Sequence, residues 1–451
     1  MSVSVTELST WARLGALWQT TWPMAMGVTA MLSFHLADSI FVSYLGVEPL
    51  AALSFTLPLS FLIIGVQVGI GIALTALVSR ALGAQEPARA QRLGNCALVS
   101  GTVIISLLVV CLWGLEIPLF RILGASDTVL PWIQSYWIWA LISSAFAAIL
   151  YFGYSLLRAH GDTRTPGTWM LLTALINIAL DPLFIFGYGD FAGWGLVGAA
   201  WASCCGWLVG ILAIYWLLYR RKILRLSSAF VEAYTSLQAL AQLALPAMLS
   251  QMLPPLAAFF ATLIVAQQGE LAVALWGLAT RVEFFSLVLV LALTMSLPPI
   301  LGRAYGAQDW SSVAAWISSA LLLIIGWQGI WALTLSLGAG WIAPWLTQDP
   351  ALTQPFIHWL IWVPWGFPAL GICMLLVSAA NALGWPKRAL LIAGLRLFAC
   401  YLPALALGGA WAGLEGLFYG ALIGHLGAGA QAWFLYHRAY RQQVSLNTST
   451  L

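Results

Sequence analysis

The chain has 451 residues, of which 62% are hydrophobic and only 7% carry a charge. A soluble protein of this length carries about 25% charged residues. The composition therefore excludes a water-soluble globular protein and predicts an integral membrane protein. The formal net charge of +3 gives no support for a nucleic-acid partner, because the basic residues stand mostly at the ends of apolar segments.

Apolar segments long enough to cross a membrane follow one another along the chain. A transmembrane helix needs about 20 apolar residues, and charged and turn residues separate twelve such segments. The predicted helices cover residues 14–45, 49–79, 93–119, 129–158, 165–188, 193–219, 237–267, 271–301, 311–343, 353–383, 386–409 and 413–437. Their uniform apolar character excludes a β-barrel, whose strands alternate over about 10 residues. The predicted fold class is an all-α integral membrane protein with twelve transmembrane helices.

Basic residues indicate how these helices are oriented. They cluster in alternate loops, for example at 80–92, 158–164 and 220–225, and the other loops hold mainly acids with Arg121 as their only base. Cytoplasmic loops carry such an excess of Arg and Lys. We therefore predict a multi-pass protein of the cell inner membrane, with both termini in the cytoplasm.

The two halves of the chain repeat one sequence pattern. The stretch SRALGAQE (79–86) matches GRAYGAQD (302–309), and Pro23 matches Pro246 at the same offset of 223 residues. Because each half holds an even number of helices, the halves have the same orientation and are related by a pseudo-two-fold axis along the membrane normal. The predicted domains are an N-terminal six-helix lobe at 1–222, a cytoplasmic linker at 223–235 and a C-terminal six-helix lobe at 236–451.

The repeat fails at polar residues inside the helices. Asp38, Asn177 and Asp181 are replaced in the second copy, in that order, by Ala261, Cys400 and Ala404. A charged side chain in a membrane costs about 2.5–3.5 kcal/mol on insertion scales. A purely structural role would call for acids in both copies, so their restriction to one copy favours a functional role.

The positions of these polar residues predict a cation site in the N-terminal lobe. At 1.5 Å per residue, Asp38 and Asp181 both lie about 12 Å below the predicted outer ends of their helices. Asn177 lies one turn before Asp181 on the same helix face. Two carboxylates and an amide at one depth suit a proton or a small cation such as Na+. Hydrogen bonds between helices that serve only the structure are the alternative interpretation.

Other residues inside the predicted helices have open roles. Pro23 removes a backbone hydrogen bond and predicts a bend in the first helix, with or without a gating role. His35 lies one turn before the first acid and either tunes it or packs as a neutral ring. Arg281 and Glu283 are two residues apart, so a structural ion-pair network is favoured over a place in the substrate cavity. Arg396 is expected to snorkel toward the cytoplasm.

No pattern of catalytic residues emerges. The stretch GYGD (187–190) has the form of an intramembrane aspartyl protease motif, but the Tyr-Asp pair that such enzymes also need is missing from the sequence. The phosphate-binding pattern of ATP-driven pumps is missing as well. We expect neither an enzyme nor an ATP-driven pump.

Several of these stretches resemble the multidrug and toxic compound extrusion (MATE) family, and the resemblance covers nearly the whole chain. The loop SRALGAQEPARAQR, its partner GRAYGAQD and the element TRVE (280–283) are similar to family motifs. Pro23, Asp38 and the Asn-x-x-x-Asp pattern resemble the prokaryotic DinF-like branch. In GAAWAS (198–203), Ser203 stands at a threonine position of that branch, and Tyr136 is similar to its helix-4 tyrosine.

The resemblance implies the architecture of this family, with two six-helix lobes, and a function. The expected function is a secondary active antiporter that exports cationic or amphipathic drugs in exchange for protons or sodium ions, by a rocking change between outward and inward access. Cation binding is implied for Asp38, Asn177, Asp181 and Ser203. We expect no cofactor besides the coupling ion, and a monomer whose only other partners are membrane lipids.

Two other classes of membrane protein remain as alternatives. A lipid-linked precursor flippase has a related architecture, but its cavity usually holds more basic residues than Arg281 and Arg396. A channel would show conductance that is not coupled to exchange, and the duplicated architecture argues against it.

Overall fold

A computed structural model describes residues 9–190, 192–224, 230–347 and 349–449. Residues 225–229 of the predicted linker, including Arg225, lie outside these ranges. The first half forms the helices α1 (Thr10–Ser43), α2 (Val47–Gly83), α3 (Pro87–Gly114), α4 (Glu116–Ile122), α5 (Leu130–Ala159), α6 (Arg164–Phe186) and α7 (Leu196–Arg220). The second half forms α8 (Phe230–Ala266), α9 (Glu270–Ser286), α10 (Val288–Gly306), α11 (Trp310–Leu346), α12 (Pro350–Trp362), α13 (Phe367–Ala382), α14 (Pro386–Gly394) and α15 (Leu402–Ser449).

The described residues contain eleven helical stretches that are long and apolar enough to cross a membrane. The last stretch, Pro386–Gln443, has 58 residues, nearly three times the roughly 20 that one crossing needs. Its backbone leaves the helical conformation at Ala412 and Gly413, and Gly413 has a φ of 59°, which glycine adopts without a steric penalty. The chain therefore turns back here and crosses a second time, which confirms the predicted twelve-helix, all-α fold.

The chain divides into two compact units. The N-terminal unit is Pro23–Gln251, and the C-terminal unit combines Met1–Trp22 with Met252–Leu451. The helices α1 and α8, which are equivalent in the sequence repeat, each change from one unit to the other part-way along their length. The predicted lobes at 1–222 and 236–451 assign each of these helices to a single lobe, and those bounds stay a prediction.

Small residues bring α6 close to its neighbours in the N-terminal unit. A Cβ atom added to Gly167 of α6 would lie 2.2 Å from the carbonyl oxygen of Pro23 in α1. One added to Gly198 of α7 would lie 2.1 Å from the Phe184 carbonyl oxygen of α6. Glycines allow such close backbone approach between membrane helices. This packing places the polar residues of α6 next to those of α1 and α7.

The C-terminal unit contains a change of helix type at the position equivalent to α6. Here α14 passes into a π-helical segment at Leu395–Tyr401 before α15 begins. A π-helix closes its hydrogen bonds one residue later than an α-helix, and such turns occur often at functional sites. The extra residue rotates the side chains that follow, so this copy presents a different set of residues from α6.

Candidate cation site

The N-terminal unit holds a hydrogen-bonded group formed by α6 and α7. The Asn177 amide lies 2.9 Å from the Ser203 hydroxyl. In the amide orientation that satisfies all its neighbours, Asn177 donates to Asp181 Oδ2 at 3.0 Å and accepts from the Ser203 hydroxyl at 2.9 Å and its backbone N–H at 3.0 Å. This orientation is assigned from the network, as is usual for amides. Asp181 is 0% exposed, so its charge cannot be stabilised by bulk water.

Asp38 of α1 belongs to the same electrostatic environment. Its charge acts on Asp181, and both acids act on the hydroxyl of the buried Tyr136 in α5. Oδ1 of Asp38 and Oδ1 of Asp181 are buried and have no hydrogen-bond partner among the described residues. Two interacting carboxylates that each have a buried oxygen without a partner are best stabilised when a proton or cation neutralises at least one of them.

The donor set of this site is made of oxygen atoms. It comprises two carboxylates, one amide and one hydroxyl, with the phenol of Tyr136 nearby. Among the described residues, no group of three or more His, Cys, Asp or Glu side chains is placed to hold a metal ion. Hard oxygen ligands suit a proton or an alkali ion better than a transition metal, which prefers imidazole or thiolate.

His35 and Pro23 are two further residues of α1 whose roles the sequence leaves open. His35 is exposed, its ring lies 4.5 Å from that of Phe34, and it makes no hydrogen bond or ion pair with Asp38. Pro23 lies inside α1, which remains helical on both sides of it. It is also the first residue of the N-terminal unit, so the predicted bend would fall where α1 changes units.

The structure corrects the expectations for the charged residues of the second half. Arg281 and Glu283 form no ion pair in the described part of the chain, because Arg281 is exposed while Glu283 is half-buried and interacts with the charge of Arg396. The snorkelling expected of Arg396 stays a prediction, because the residue is half-buried and only its Nε is buried without a partner. Arg396 lies in the π-helical segment, which sequence periodicity does not indicate.

Sequence reasoning missed two residues near Arg396. The ring of His425, 4% exposed, stacks on that of Tyr401 with a centroid distance of 5.1 Å. The repeat contained a signal for this pair, because its 223-residue offset relates His425 to the residue before Ser203, and Tyr401 to the residue after Asn177. The two copies therefore place polar groups at nearly the same positions.

Comparison with known proteins agrees with this duplicated arrangement. The MatE family profile matches residues 23–183 and 246–406, two stretches whose equivalent positions differ by the 223-residue offset of the repeat. The chain belongs to the MATE family. This MATE chain is 44% identical to the Vibrio cholerae MATE transporter VcmN, whose crystal structure in the bent form matches with a TM-score of 0.92 over 96% of this chain and 98% of that chain.

Curated relatives of this MATE chain are transporters with different names. The FAD transporter of Shewanella oneidensis is 32% identical over 432 residues, which is 95% of both chains. The multidrug export protein MepA of Staphylococcus aureus is 22% identical over 435 residues, which is 95% of this chain and 94% of MepA. Membership of the family confirms a multi-pass membrane transporter, and the substrate and the coupling ion are matters for proposal.

Proposed function

We propose that this MATE transporter is a secondary active efflux antiporter of the inner membrane that exports cationic or amphipathic compounds in exchange for protons or sodium ions. The observation that carries the proposal is the pair of unpartnered, buried carboxylate oxygens on Asp38 and Asp181. Each needs a proton or a cation to offset its desolvation. MepA, a multidrug export protein, supports the class of substrate.

In the proposed mechanism, ion binding and substrate binding favour different states of the protein. A proton or Na+ neutralises the acids, with Asn177 and Ser203 holding the second carboxylate in place. A ligand shifts a conformational equilibrium only through its different affinity for the two states. VcmN has been crystallised in a bent form, and in this chain Pro23 would allow α1 to bend because it leaves one backbone hydrogen bond unmade.

The test is transport of ethidium into inside-out vesicles, with the pH and sodium gradients imposed independently. We expect Asp38→Asn and Asp181→Asn to abolish exchange. An asparagine amide carries no negative charge with which to bind a proton or Na+. Asp190→Asn, which changes an exposed acid, is the matched control and should behave as the wild type. Undiminished exchange in both variants of the buried acids would refute the proposal.

A flavin nucleotide is a second candidate substrate. It is favoured by the FAD transporter of Shewanella oneidensis, at 32% identity over 95% of both chains. The same vesicles, supplied with FAD outside and assayed for flavin fluorescence inside, distinguish the two candidates. Uptake of FAD that depends on the imposed gradient and on Asp181 would establish this second substrate class.

A further inference from the structure

A second polar cluster lies wholly within the C-terminal unit. We call the residues Glu283, Arg396, Tyr401 and His425 the arginine cluster. Glu283 comes from α9, Arg396 and Tyr401 come from the π-helical segment, and His425 comes from α15. The charge of Arg396 acts on each of the other three residues, so these side chains share one electrostatic environment.

Arg396 has hydrogen-bonding capacity that the protein does not use. Its Nε is buried without a partner, and its side chain makes no hydrogen bond or ion pair with any described residue. Arg396 as a whole is half-buried, but its Nε–H is one of the five donors of the guanidinium, and a buried donor left without an acceptor is unfavourable. The arrangement is therefore incomplete without an acceptor.

Glu283 does not supply that acceptor. It attracts Arg396 electrostatically, yet the two form no salt bridge within 4 Å and the carboxylate makes no hydrogen bond with a described residue. The buried Nε of Arg396 therefore receives no acceptor from this acid.

The aromatic residues of the cluster form one wall and add a second unused group. The rings of Tyr401 and His425 are stacked at 19°, and Phe367 meets His425 edge-on at 6.3 Å. Nε2 of His425 is buried and has no partner. The charge of Arg396 acts on this ring, and in its Nε2–H tautomer His425 can donate a second hydrogen bond to a ligand that accepts them.

The corresponding residues of the first copy have no such unused groups. The offset relates Arg396 to Thr173 of α6, whose hydroxyl donates to the Trp169 carbonyl oxygen of its own helix at 2.8 Å. It relates His425 to Ala202. The two copies therefore place opposite chemistry on equivalent helices, with anionic groups in the N-terminal unit and a cationic group in the C-terminal unit.

We propose that the arginine cluster binds an anionic group, a phosphate or a carboxylate, of the transported substrate. Carboxylates and phosphates each present two oxygen atoms that match the fork of an arginine and accept two parallel hydrogen bonds from it. The inference rests on the proposed transport function and specifies its substrate class, since it assigns organic anions and zwitterions, and not only cations, to this protein.

The experiment compares three substrates in inside-out vesicles of the wild type and of Arg396→Gln. FAD carries phosphates, norfloxacin carries a carboxylate, and ethidium carries no acidic group. We expect transport of FAD, norfloxacin or both to fall at least about tenfold, the effect of losing one charge-assisted contact, while ethidium transport stays within about twofold. Loss for FAD alone identifies a phosphate ligand, and loss for norfloxacin alone identifies a carboxylate.

Control variants distinguish a loss of substrate binding from a failure to fold. Arg438→Gln removes an exposed arginine of α15 and should leave all three fluxes unchanged. If Arg396→Gln does not fold, Arg396→Lys keeps the charge but loses the fork, and we expect it to lower transport of the anions more than that of ethidium. The proposal is overturned if the wild type transports neither anion, if anion transport is unaffected, or if ethidium transport falls equally.

Failure of this proposal is distinguishable from failure of the antiport mechanism. Ethidium exchange by the wild type, and its loss in Asp181→Asn, test the cation site without the arginine cluster. Ethidium exchange that depends on Asp181, without any effect of Arg396 on anions, would leave the antiporter intact and refute only the anion site.

Discussion

The two units of this protein share one scaffold but differ in the residues that it carries. In the N-terminal unit, the close packing of α6 and α7 brings an acid, an amide and a hydroxyl into one hydrogen-bonded group. In the C-terminal unit, the equivalent helices present an arginine and a histidine that make no hydrogen bond with described residues. Duplication of a helical scaffold therefore preserves packing, while single substitutions at buried positions change the charge of the site.

The two units differ in helix geometry as well as in the chemistry of their polar residues. In the N-terminal unit α6 is an α-helix through Asp181, whereas the equivalent stretch of the C-terminal unit includes seven residues of π-helix. An α-helical turn keeps Asn177 and Asp181 on one face. The π-helical turn shifts that register, so Arg396 and Tyr401 reach the same cluster although they are five residues apart.

The largest effect that distinguishes the units is expected from Asp181→Asn. Exchange of ethidium for the coupling ion should fall by roughly tenfold or more, which corresponds to about 1.4 kcal/mol of lost coupling or more, because the amide cannot bind a cation by charge. Ala404→Asn, at the equivalent position of the other unit, should retain most of the exchange. Equal losses in the two variants would contradict the assignment of the cation site to one unit.

The next largest effect is a loss of stability when the close packing of α6 on α1 is disturbed. In Gly167→Ala the new Cβ would meet the Pro23 carbonyl oxygen at 2.2 Å, and such overpacking costs about 1–3 kcal/mol. We expect a lower Tm in detergent. Gly277→Ala is the matched control, since nothing lies within 4 Å of its added Cβ, and it should leave Tm unchanged or higher. A Gly167→Ala protein as stable as the control would show that the two helices are not in close contact there.

Ser203→Ala tests the hydrogen bond between α6 and α7. The loss of one hydrogen bond to Asn177 costs about 1 kcal/mol, so the apparent affinity for the coupling ion should weaken by about fivefold. Ser144→Ala is the control, because this serine of the same unit donates to a carbonyl of its own helix at 2.8 Å. Initial exchange rates over a series of ion concentrations measure the effect, and identical curves for the two variants would exclude Ser203 from the site.

The smallest of the expected effects is a change in thermal stability, and it concerns the loops after α5 and α13. Asp162 accepts hydrogen bonds from Thr165 and from Arg221, the latter at 2.6 Å. Burial alone would raise the pKa of Asp162, but these bonds outweigh it and lower the pKa below its usual value. At the equivalent position of the second copy, Trp385 instead packs under Arg388 at 5.6 Å.

Asp162→Asn should therefore lower the free energy of unfolding at neutral pH, and with it Tm, by the roughly 0.2–1 kcal/mol typical of a partly exposed ion pair. Because the pKa is lowered in the folded protein, the stabilisation is present above the ordinary value of about 3.9 and is lost as the pH falls through the lower, folded-state pKa. The difference in Tm from the wild type should shrink in that acidic range. A difference that is independent of pH would argue against the ion pair, and Trp385→Phe should show no such pH dependence.

Most of the fold was predictable because membrane burial imposes long apolar segments. Twelve spans, two halves and the polar positions of α1 and α6 all follow from hydropathy and from one repeat offset. The roles of Arg281, Glu283 and Arg396 did not follow, because residues two positions apart can face different neighbours and because the π-helical turn leaves no periodic signal. Tyr401 and His425 were missed since an aromatic residue in an apolar run resembles ordinary core packing.

The sequence by itself determined that this protein is a duplicated membrane helical bundle in which Asp38 and Asp181 have no acid at the equivalent positions of the second copy, because the cost of burying charge in lipid restricts where such residues are retained. Only the tertiary structure decided which polar groups meet. Close approach at glycines joins Asn177 to Ser203, and a local change of helix type brings Arg396 toward His425. Both depend on distances between helices that are far apart in sequence, which no pattern along a single segment encodes.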